Sequence, residues 1–362
     1  MRLIMPDAGA QRYGECAATP AADYAVCMRA TMRDVASRAG VSPKTVSNVI
    51  NGVVFVRPET RERVEQVMAE LDYVPNLSAR GLRNGRSGVL ALALPHLSTQ
   101  YSAETVGAFV EVAHSRGWAI QVEETGAEPT REIELLSRAR AHLVDGLILN
   151  PITLEDSVIA QARNLPPLVL IGEVEQSLVD LVGVDSRASA YEMTRHLIER
   201  GCRRIAVVGS PASEFQTATS RQRTEGYRDA VREEGLPLDA ELEIGCGDWT
   251  AAGAASAFSA FLDGGGAVPD AVFCFTDTMA IGVLNVLWRH GLRVPENVRV
   301  AGFDNTVDSP YAVPPLTTVT FDRRELAKLA IERLEQRLAD ESLEPVRTRV
   351  PYRLVVREST GR

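Results

Sequence analysis

The sequence predicts an α/β protein with a three-helix head, a hinge, and a two-lobed core of parallel sheets flanked by helices. Beyond residue 86, short apolar strands alternate with helix-length segments, which is typical of parallel sheets covered by helices on both faces. Ahead of that point, three short helical patterns follow one another with tight connections. Residues 31–86 hold nine Lys and Arg against six Asp and Glu, whereas residues 87–362 have a net charge of −12. This asymmetry indicates that only the head meets a polyanion.

Length and composition restrict the class of protein. The 362 residues are 45% hydrophobic and 24% charged, which is the balance of a globular protein with roughly two to three domains. No run approaches the 18 or so apolar residues that a membrane-spanning helix needs. The five cysteines form no C-x-x-C pair, as is usual for reduced thiols. We therefore expect a cytoplasmic protein that does not enter a membrane.

The first 30 residues lack any clear periodicity. Asp7, Arg12, Glu15 and Asp23 interrupt the apolar stretch that a secretory signal peptide would need. We expect residues 1–30 to be a disordered leader, or to be included in the sequence only because the start codon is assigned upstream of the true one.

The head begins with signals for helix N-termini. Thr31 is expected to cap a first helix with Asp34 at its third position, and Gly40 ends that helix. Ser42 caps a second helix over 43–50, and Pro43 suits its first position because the missing N–H would have no partner there. A third helix is expected over 58–71.

The second helix has two contrasting faces. Its inward face holds Val46, Val49 and Ile50, and its outward face is polar: Lys44, Thr45, Ser47, Asn48 and Asn51. Two short helices around the turn AGVS at 39–42 make a helix-turn-helix, whose second helix offers its N-terminal residues to base edges in a major groove. An ordinary helical hairpin fits this turn about equally well.

The body is read as alternating strands and helices. Strands are expected at 89–94, 119–122, 146–149, 168–171, 205–208, 271–275, 299–301 and 353–356. Helical segments end at Gly117, Gly201, Gly235 and Gly291. About 270 residues exceed one doubly wound unit, so two similar lobes are expected. In such sheets ligands bind beyond the carboxyl ends of the strands, so a cleft between the lobes is the natural site.

Motifs of the common enzyme classes are missing from the sequence. It contains no G-x-G-x-x-G after a strand, no G-x-x-x-x-G-K-[ST] and no G-x-S-x-G. The five histidines lie far apart without i, i+4 partners. We expect neither a metal site nor a cofactor.

Six stretches of the head resemble the DNA-binding head of the lactose/galactose repressor (LacI/GalR) family. They are TMRDVA at 31–36, AGVS at 39–42, TVS at 45–47, VIN at 49–51, TRERV at 60–64 and LDYVPN at 71–76. The resemblance continues through VAGFDN at 300–305 and PPLTTV at 314–319 and covers the chain from Thr31 to about Glu358. It implies a periplasmic-binding-protein-like core and a transcriptional regulator that binds operator DNA as a homodimer.

The resemblance also implies domain boundaries. Residues 31–75 form the helix-turn-helix domain, 76–86 the hinge, and 87–358 the core for ligand binding and dimerisation. Lobe one takes about 87–184 and 321–343, and lobe two takes about 185–318 and 346–358.

The family's DNA contacts can be placed on the head. Pro43, Lys44 and Asn48 match positions that read bases: Lys44 suits a guanine edge and Asn48 an adenine, while Pro43 offers only apolar contact. Positions that hold phosphates in the family are matched by Thr31, Ser42, Thr45, Ser47, Asn51, Thr60, Tyr73 and Asn76. Arg57 replaces the Ser or Thr that commonly caps the third helix, and it either contacts a phosphate or is solvated.

The hinge in this family becomes helical only on the operator. Leu82 matches the residue that enters the minor groove, and Ala79 matches one that packs against the sugars. Gly81 costs about 1 kcal/mol in a helix relative to alanine, which increases the dependence of the hinge on DNA.

The family's effector positions fall in the body. Arg223 and Asp304 match residues that bracket a small polar ligand, commonly a sugar. Trp249 matches an aromatic position that can stack on a sugar. The family commonly has an Asn-Asp pair where this chain has Thr276 and Asp277, so Asp277 matches the family pattern and Thr276 departs from it.

Alternatives remain open at three of these positions. Arg223 can instead pair only with Glu225, and Trp249 can simply fill the core. Gly172 and Glu173 stand where the family often has a ligand Asp, and whether Glu173 replaces it stays open.

Three functions are weighed. The first is a repressor that leaves its operator when a small effector, expected to be a carbohydrate, binds to the cleft. The second is a solute-binding protein of a transporter, which shares the two-lobed body but which the basic head disfavours. An enzyme acting on a sugar or nucleoside is the third.

Overall fold

The computed structural model describes residues 30–50, 52, 55–74, 86–126, 128–139, 143–152, 165–174, 176–212, 216–265 and 267–361. The chain divides into two compact units, residues 1–76 and 77–362. Residues 1–29 of the expected leader and the hinge residues 76–85 lie outside the described residues.

The head contains α1 (Met32–Ala39), α2 (Pro43–Ile50) and α3 (Pro58–Glu70). Thr31 and Asp34 form the expected capping box at the start of α1, and Gly40 ends this helix with φ +64°. The Ser42 hydroxyl accepts the Thr45 backbone N–H at 3.1 Å at the start of α2. Val35, Val46, Val49 and Val64 form the centre of the small core between the three helices. The described head is therefore the expected three-helix unit.

One outward-facing residue of α2 was placed wrongly from the sequence. Ser47 is buried in the head, with 8% of its surface exposed. It lies three residues before Ile50 and one after Val46, so it borders the apolar face, and its short side chain is covered there.

The body contains twelve strands in the described part of the chain. They are β1 (Val89–Leu94), β2 (Ala119–Glu124), β3 (Gly146–Leu149), β4 (Leu168–Ile171), β5 (Asp180–Gly183), β6 (Ile205–Ser210), β7 (Glu243–Gly245), β8 (Ala271–Cys274), β9 (Arg299–Phe303), β10 (Thr317–Phe321), β11 (Arg347–Arg349) and β12 (Tyr352–Val355).

Helices lie between most of these strands. They are α4 (Gln100–Ser115), α5 (Pro129–Ala139), α6 (Ser186–Glu199), α7 (Ala218–Glu233), α8 (Ala251–Asp263), α9 (Asp277–Arg289) and α10 (Arg323–Ala339), and short 3₁₀ helices lie at Ala240–Leu242, Ser309–Tyr311 and Glu358–Thr360. None of the described helices is long and apolar enough to cross a membrane.

The strands form two six-stranded sheets, and each sheet is the centre of one lobe. Lobe one has the order β11-β5-β4-β3-β1-β2, and lobe two has the order β12-β10-β9-β8-β6-β7. Every pair is parallel except β10 with β12. The central strands are buried on both faces, as expected for sheets covered by helices.

The chain crosses between the lobes three times, after β5, after β10 and after β11. The third crossing corrects the sequence-based boundary, which placed all of 346–358 in lobe two. Strand β11 instead pairs with β5 in lobe one, because Asp180 accepts the Val346 N–H at 2.8 Å and holds the incoming segment at that sheet edge.

Candidate ligand cleft and DNA-facing helix

A cavity of about 430 Å³ lies beyond the carboxyl ends of strands from both sheets. Lobe one contributes residues that follow β1, β3 and β4, among them His96, Asn150 and Glu173. Lobe two contributes residues from the start of α7 and from the loops after β7, β8 and β9. This is the position that parallel sheets favour for a ligand.

Arg223 lies on α7 and points its guanidinium into this wall. Its Nε donates to the Ser186 hydroxyl at 3.0 Å, and its Nη1 donates to the carbonyl of Phe275. The guanidinium carbon is 3.4 Å from the ring centre of Phe303, a cation–π contact. Arg223 is 5% exposed, so its orientation is fixed before any ligand arrives. In the described residues Arg223 makes no ion pair with Glu225, which pairs with Arg228.

Glu173 follows β4 in lobe one, but its hydrogen-bond partners belong to lobe two. One carboxylate oxygen accepts the Ser186 hydroxyl at 2.5 Å, and the other accepts the Thr219 hydroxyl at 2.7 Å. The first oxygen is 3.7 Å from Nη2 of Arg223. Glu173 therefore spans the cleft and links the two lobes.

Asp304 follows β9 and is a buried acid at the cavity wall. Burial raises the pKa of its carboxyl to about 8, against the lowering effect of Arg223. Within the described residues no side chain donates a hydrogen bond to this carboxylate. Its backbone has φ +115°, a conformation that costs about 1–3 kcal/mol and is typical of functional sites. Bonds from Asp304 N–H to Val319 and from Arg323 to the Asp304 carbonyl hold it there.

Asp277 does not lie where the sequence analysis placed it. It begins α9, is completely buried and does not line the cavity. Its carboxylate accepts the Thr306 N–H at 3.0 Å, the Thr318 hydroxyl at 2.6 Å and the Ser309 hydroxyl. These bonds use its lone pairs to join α9, β10 and the loop after β9. Its expected contact with an effector is therefore not supported by its position.

The aromatic part of the wall includes the expected Trp249 and two residues that the sequence analysis missed. Trp249 is half-buried in the loop before α8 and packs against the core on one side. Tyr101 on α4 and Phe321 at the end of β10 face the same cavity, with their ring centres 6.5 Å apart. Thr219, in the first turn of α7, and Asn150, directly after the expected strand β3, were also missed.

The structure describes most of the expected DNA-contacting residues. Thr31, Ser42, Pro43, Lys44 and Arg57 are exposed. Thr45, Asn48, Thr60 and Tyr73 are half-buried, and Ser47 is buried. Asn51, Asn76, Ala79 and Leu82 lie outside the described residues. The exposed start of α2 therefore presents Pro43 and Lys44 on the head's surface.

Two family models match the chain. The model described as bacterial regulatory proteins, lacI family, matches residues 31–76, and the model described as periplasmic binding protein-like domain matches residues 194–360. The transcriptional repressor PurR of Photobacterium profundum is 30% identical over 336 residues, which cover 91% of this chain and 98% of that repressor. The transcriptional regulator DegA of Bacillus subtilis is 33% identical over 304 residues, covering 83% and 88%.

The chain belongs to the LacI family of bacterial transcriptional regulators. This confirms the resemblance stated from the sequence. The protein is thus a DNA-binding transcriptional regulator with a helix-turn-helix head and an effector-binding core, and its relatives are regulators rather than enzymes.

Solved structures agree with this LacI-family assignment. The Lac repressor dimer bound to operator and an anti-inducer is 29% identical, with a TM-score of 0.80, over 92% of this chain and 99% of that one. A complex of the regulator CelR with cellobiose is 31% identical, with a TM-score of 0.67, over 91% of this chain and the whole of that one. The predicted fold class is confirmed.

Proposed function

We propose that this LacI-family regulator works in the cytoplasm as a homodimeric repressor that releases its operator when a carbohydrate enters the cleft. The observation that carries this proposal is the pairing, at one buried wall, of fixed donors on Arg223 with the Asp304 carboxylate, to which no described side chain donates. Adjacent sugar hydroxyls can donate to a carboxylate and accept from a guanidinium, and Trp249 offers a ring for the apolar face of a sugar. The cellobiose complex of CelR supports this class of ligand.

A transporter's solute-binding protein is not favoured, because the chain carries the regulatory head. The proposal is tested by fluorescence anisotropy of the purified protein on DNA fragments from upstream of its own gene. A panel of mono- and disaccharides is then added to the complex. We expect binding that weakens with rising salt and release by one or a few sugars. Binding to DNA that no sugar alters would contradict the proposed effector class.

The exposed start of α2 is proposed to read the operator. Lys44 makes no hydrogen bond or ion pair with the described residues of the head and can reach a guanine edge, whereas Thr60 in the first turn of α3 suits a phosphate. Lys44→Ala is expected to cost about 1–3 kcal/mol and to relax the preference at one base pair, while Thr60→Ala should weaken all sequences alike. Anisotropy on a set of single-base operator variants measures both. An unchanged ranking of variants in Lys44→Ala would remove its base-reading role.

A second copy of the chain is proposed to cover an apolar face of lobe two. Ile281 and Trp288 lie two turns apart on the exposed side of α9, and Trp288 is 77% exposed. The loop that exposes Tyr311 and Val313 is tied to the start of α9 by the bonds of Asp277. Exposed apolar groups on one face are typical of an interface, and the Lac repressor relative is a dimer.

Trp288→Glu tests this face by placing a charge in it. We expect sedimentation velocity to show a shift towards monomer, together with weaker operator binding, since a two-fold dimer contacts two half-sites. Leu143→Glu, which changes an exposed leucine of lobe one in the same way, is the matched control. A dimer that persists in Trp288→Glu would place the interface elsewhere.

A further inference from the structure

The charged side chains of the cleft are mostly acidic. Among the described lining residues, Glu173, Asp248 and Asp304 are acids, Arg223 is the single Arg or Lys, and His96 is the one imidazole. Asp248 accepts the N–H and hydroxyl of Thr250, at 3.1 and 2.7 Å. The wall therefore contains more acidic than basic groups before a ligand binds.

The positive charge of Arg223 is already balanced within the wall. Glu173 lies 3.7 Å from its Nη2, and both side chains are about nine-tenths buried, at 6% and 10% exposure. Ser186 lies between them, donating to Glu173 and accepting from Arg223. The nearby Arg323 adds no free cation, because it does not line the cavity and pairs with Glu104 at 3.4 Å.

Glu173 is held so that it cannot easily turn away. The hydroxyl of Thr219 donates to it from the first turn of α7, where the amide groups of the helix start also favour a negative charge. A ligand anion at Arg223 would have to displace this carboxylate or lie beside it. Like charges in a buried site repel strongly.

We propose that Glu173 makes the cleft selective for uncharged polyhydroxy effectors and against anionic ones, such as sugar phosphates and sugar acids. This selectivity rests on the proposed carbohydrate function of the same cleft. Arg223 keeps N–H groups that can donate to a neutral hydroxyl, while Glu173 supplies the compensating charge that a phosphate or carboxylate ligand would otherwise provide. Glu173 is thus the residue that determines the charge class of the effector.

The experiment uses neutral sugars, each paired with an anionic derivative of the same sugar. They are glucose with glucose 6-phosphate, galactose with galacturonate, ribose with ribose 5-phosphate, and cellobiose with cellobionate. Calorimetry measures the Kd of each on the full-length protein. For any pair that binds, we expect the neutral member to bind about 100-fold more tightly or better.

Glu173→Gln removes the charge but keeps a carbonyl oxygen that can accept from Ser186 or from Thr219, while its amide NH2 can donate to the other hydroxyl. We expect the ratio between neutral and anionic Kd values to fall by roughly tenfold or more, chiefly because the anion binds better. Glu173→Asp keeps the charge and should keep the preference for the neutral member. Glu225→Gln is the matched control, because it also removes one negative charge but at a residue of α7 that pairs with Arg228 and does not line the cavity. It should leave the ratio of Kd values unchanged.

The outcomes separate the two proposals. A wild-type protein that binds an anionic probe as tightly as its neutral partner, or a ratio that is unchanged in Glu173→Gln, overturns the charge selection and leaves the carbohydrate proposal standing. Failure of every probe to bind wild type contradicts the carbohydrate proposal itself. Thermal unfolding of each variant checks that the cleft is still folded.

Discussion

Two buried acids in lobe two, Asp277 and Asp304, show how differently the same side chain can be used. Burial raises the pKa of both, to about 6 for Asp277 and to about 8 for Asp304. Asp277 accepts three hydrogen bonds from its own lobe, whereas no described side chain donates to Asp304, which lines the cavity. A buried carboxylate with its partners already in place stabilises the fold. One that lacks them at a cavity wall is available to a ligand.

The largest difference is expected in stability. Asp277→Ala leaves the Thr306 N–H and the hydroxyls of Ser309 and Thr318 buried without this acceptor, which should lower the free energy of unfolding by about 3 kcal/mol. Asp304→Ala removes an acid that has no such donors and whose ionised form is disfavoured by burial, so this substitution should not lower the free energy of unfolding. Urea denaturation measures both. Equal losses in the two variants would erase the distinction between these acids.

The pH dependence of stability sharpens the same contrast. The pKa of Asp304 in the folded protein lies above its ordinary value of 3.8, so its contribution to stability is fully present below about pH 4 and is lost as the pH rises through about 8. Asp304→Asn should remove the part of the loss in unfolding free energy with rising pH that is due to Asp304. Burial also raises the pKa of Glu132, to about 7, and that of Asp277. These two acids lower stability with rising pH equally in wild type and in Asp304→Asn, so they cancel in the comparison.

The readout is the difference in unfolding free energy between wild type and Asp304→Asn at pH 5 and pH 9. Because the buried aspartic acid must ionise at high pH, we expect wild type to lose stability relative to the variant between pH 5 and pH 9. A difference that does not vary with pH would show that Asp304 is not held in its neutral form by burial.

A smaller effect is expected from one partner of Asp277. Thr318→Val deletes one of its three donors and should lower the free energy of unfolding by about 1 kcal/mol. Thr318 does not line the cavity, so the affinity for an effector sugar should stay within about twofold of wild type. A large loss of sugar affinity in Thr318→Val would mean that the two acids are coupled rather than separate.

The sequence predicted the apolar strands well and the polar ones poorly. Strands β1, β3 and β4 have the expected bounds, because runs of Val, Leu and Ile indicate buried parallel strands. Strands β5, β7, β10 and β11 were missed, since they contain buried or edge polar residues that look like loops. Asp180 begins β5 and is neutralised by Arg333 and Arg337, far away in the sequence.

The same limit applies to the cleft. The resemblance to the family identified Arg223, Trp249 and Asp304 as residues of one wall, and the structure brings all three to it. It also predicted that Asp277 contacts the effector, because sequence position does not reveal which acid at a strand end already accepts hydrogen bonds from its own lobe. The link from Glu173 across to Thr219 joins two lobes, so only the folded chain shows it.

The central claim is that Asp304 receives the effector and is not needed for DNA. The most direct measurement is fluorescence anisotropy of an operator complex titrated with the sugar that releases wild type, comparing Asp304→Ala with Asp277→Asn. We expect Asp304→Ala to bind operator with wild-type affinity and to require at least about fivefold more sugar for release, since a sugar hydroxyl buried without its hydrogen-bond partner costs about 1–3 kcal/mol. Asp277→Asn should respond like wild type. Release of Asp304→Ala at the wild-type sugar concentration would contradict the account.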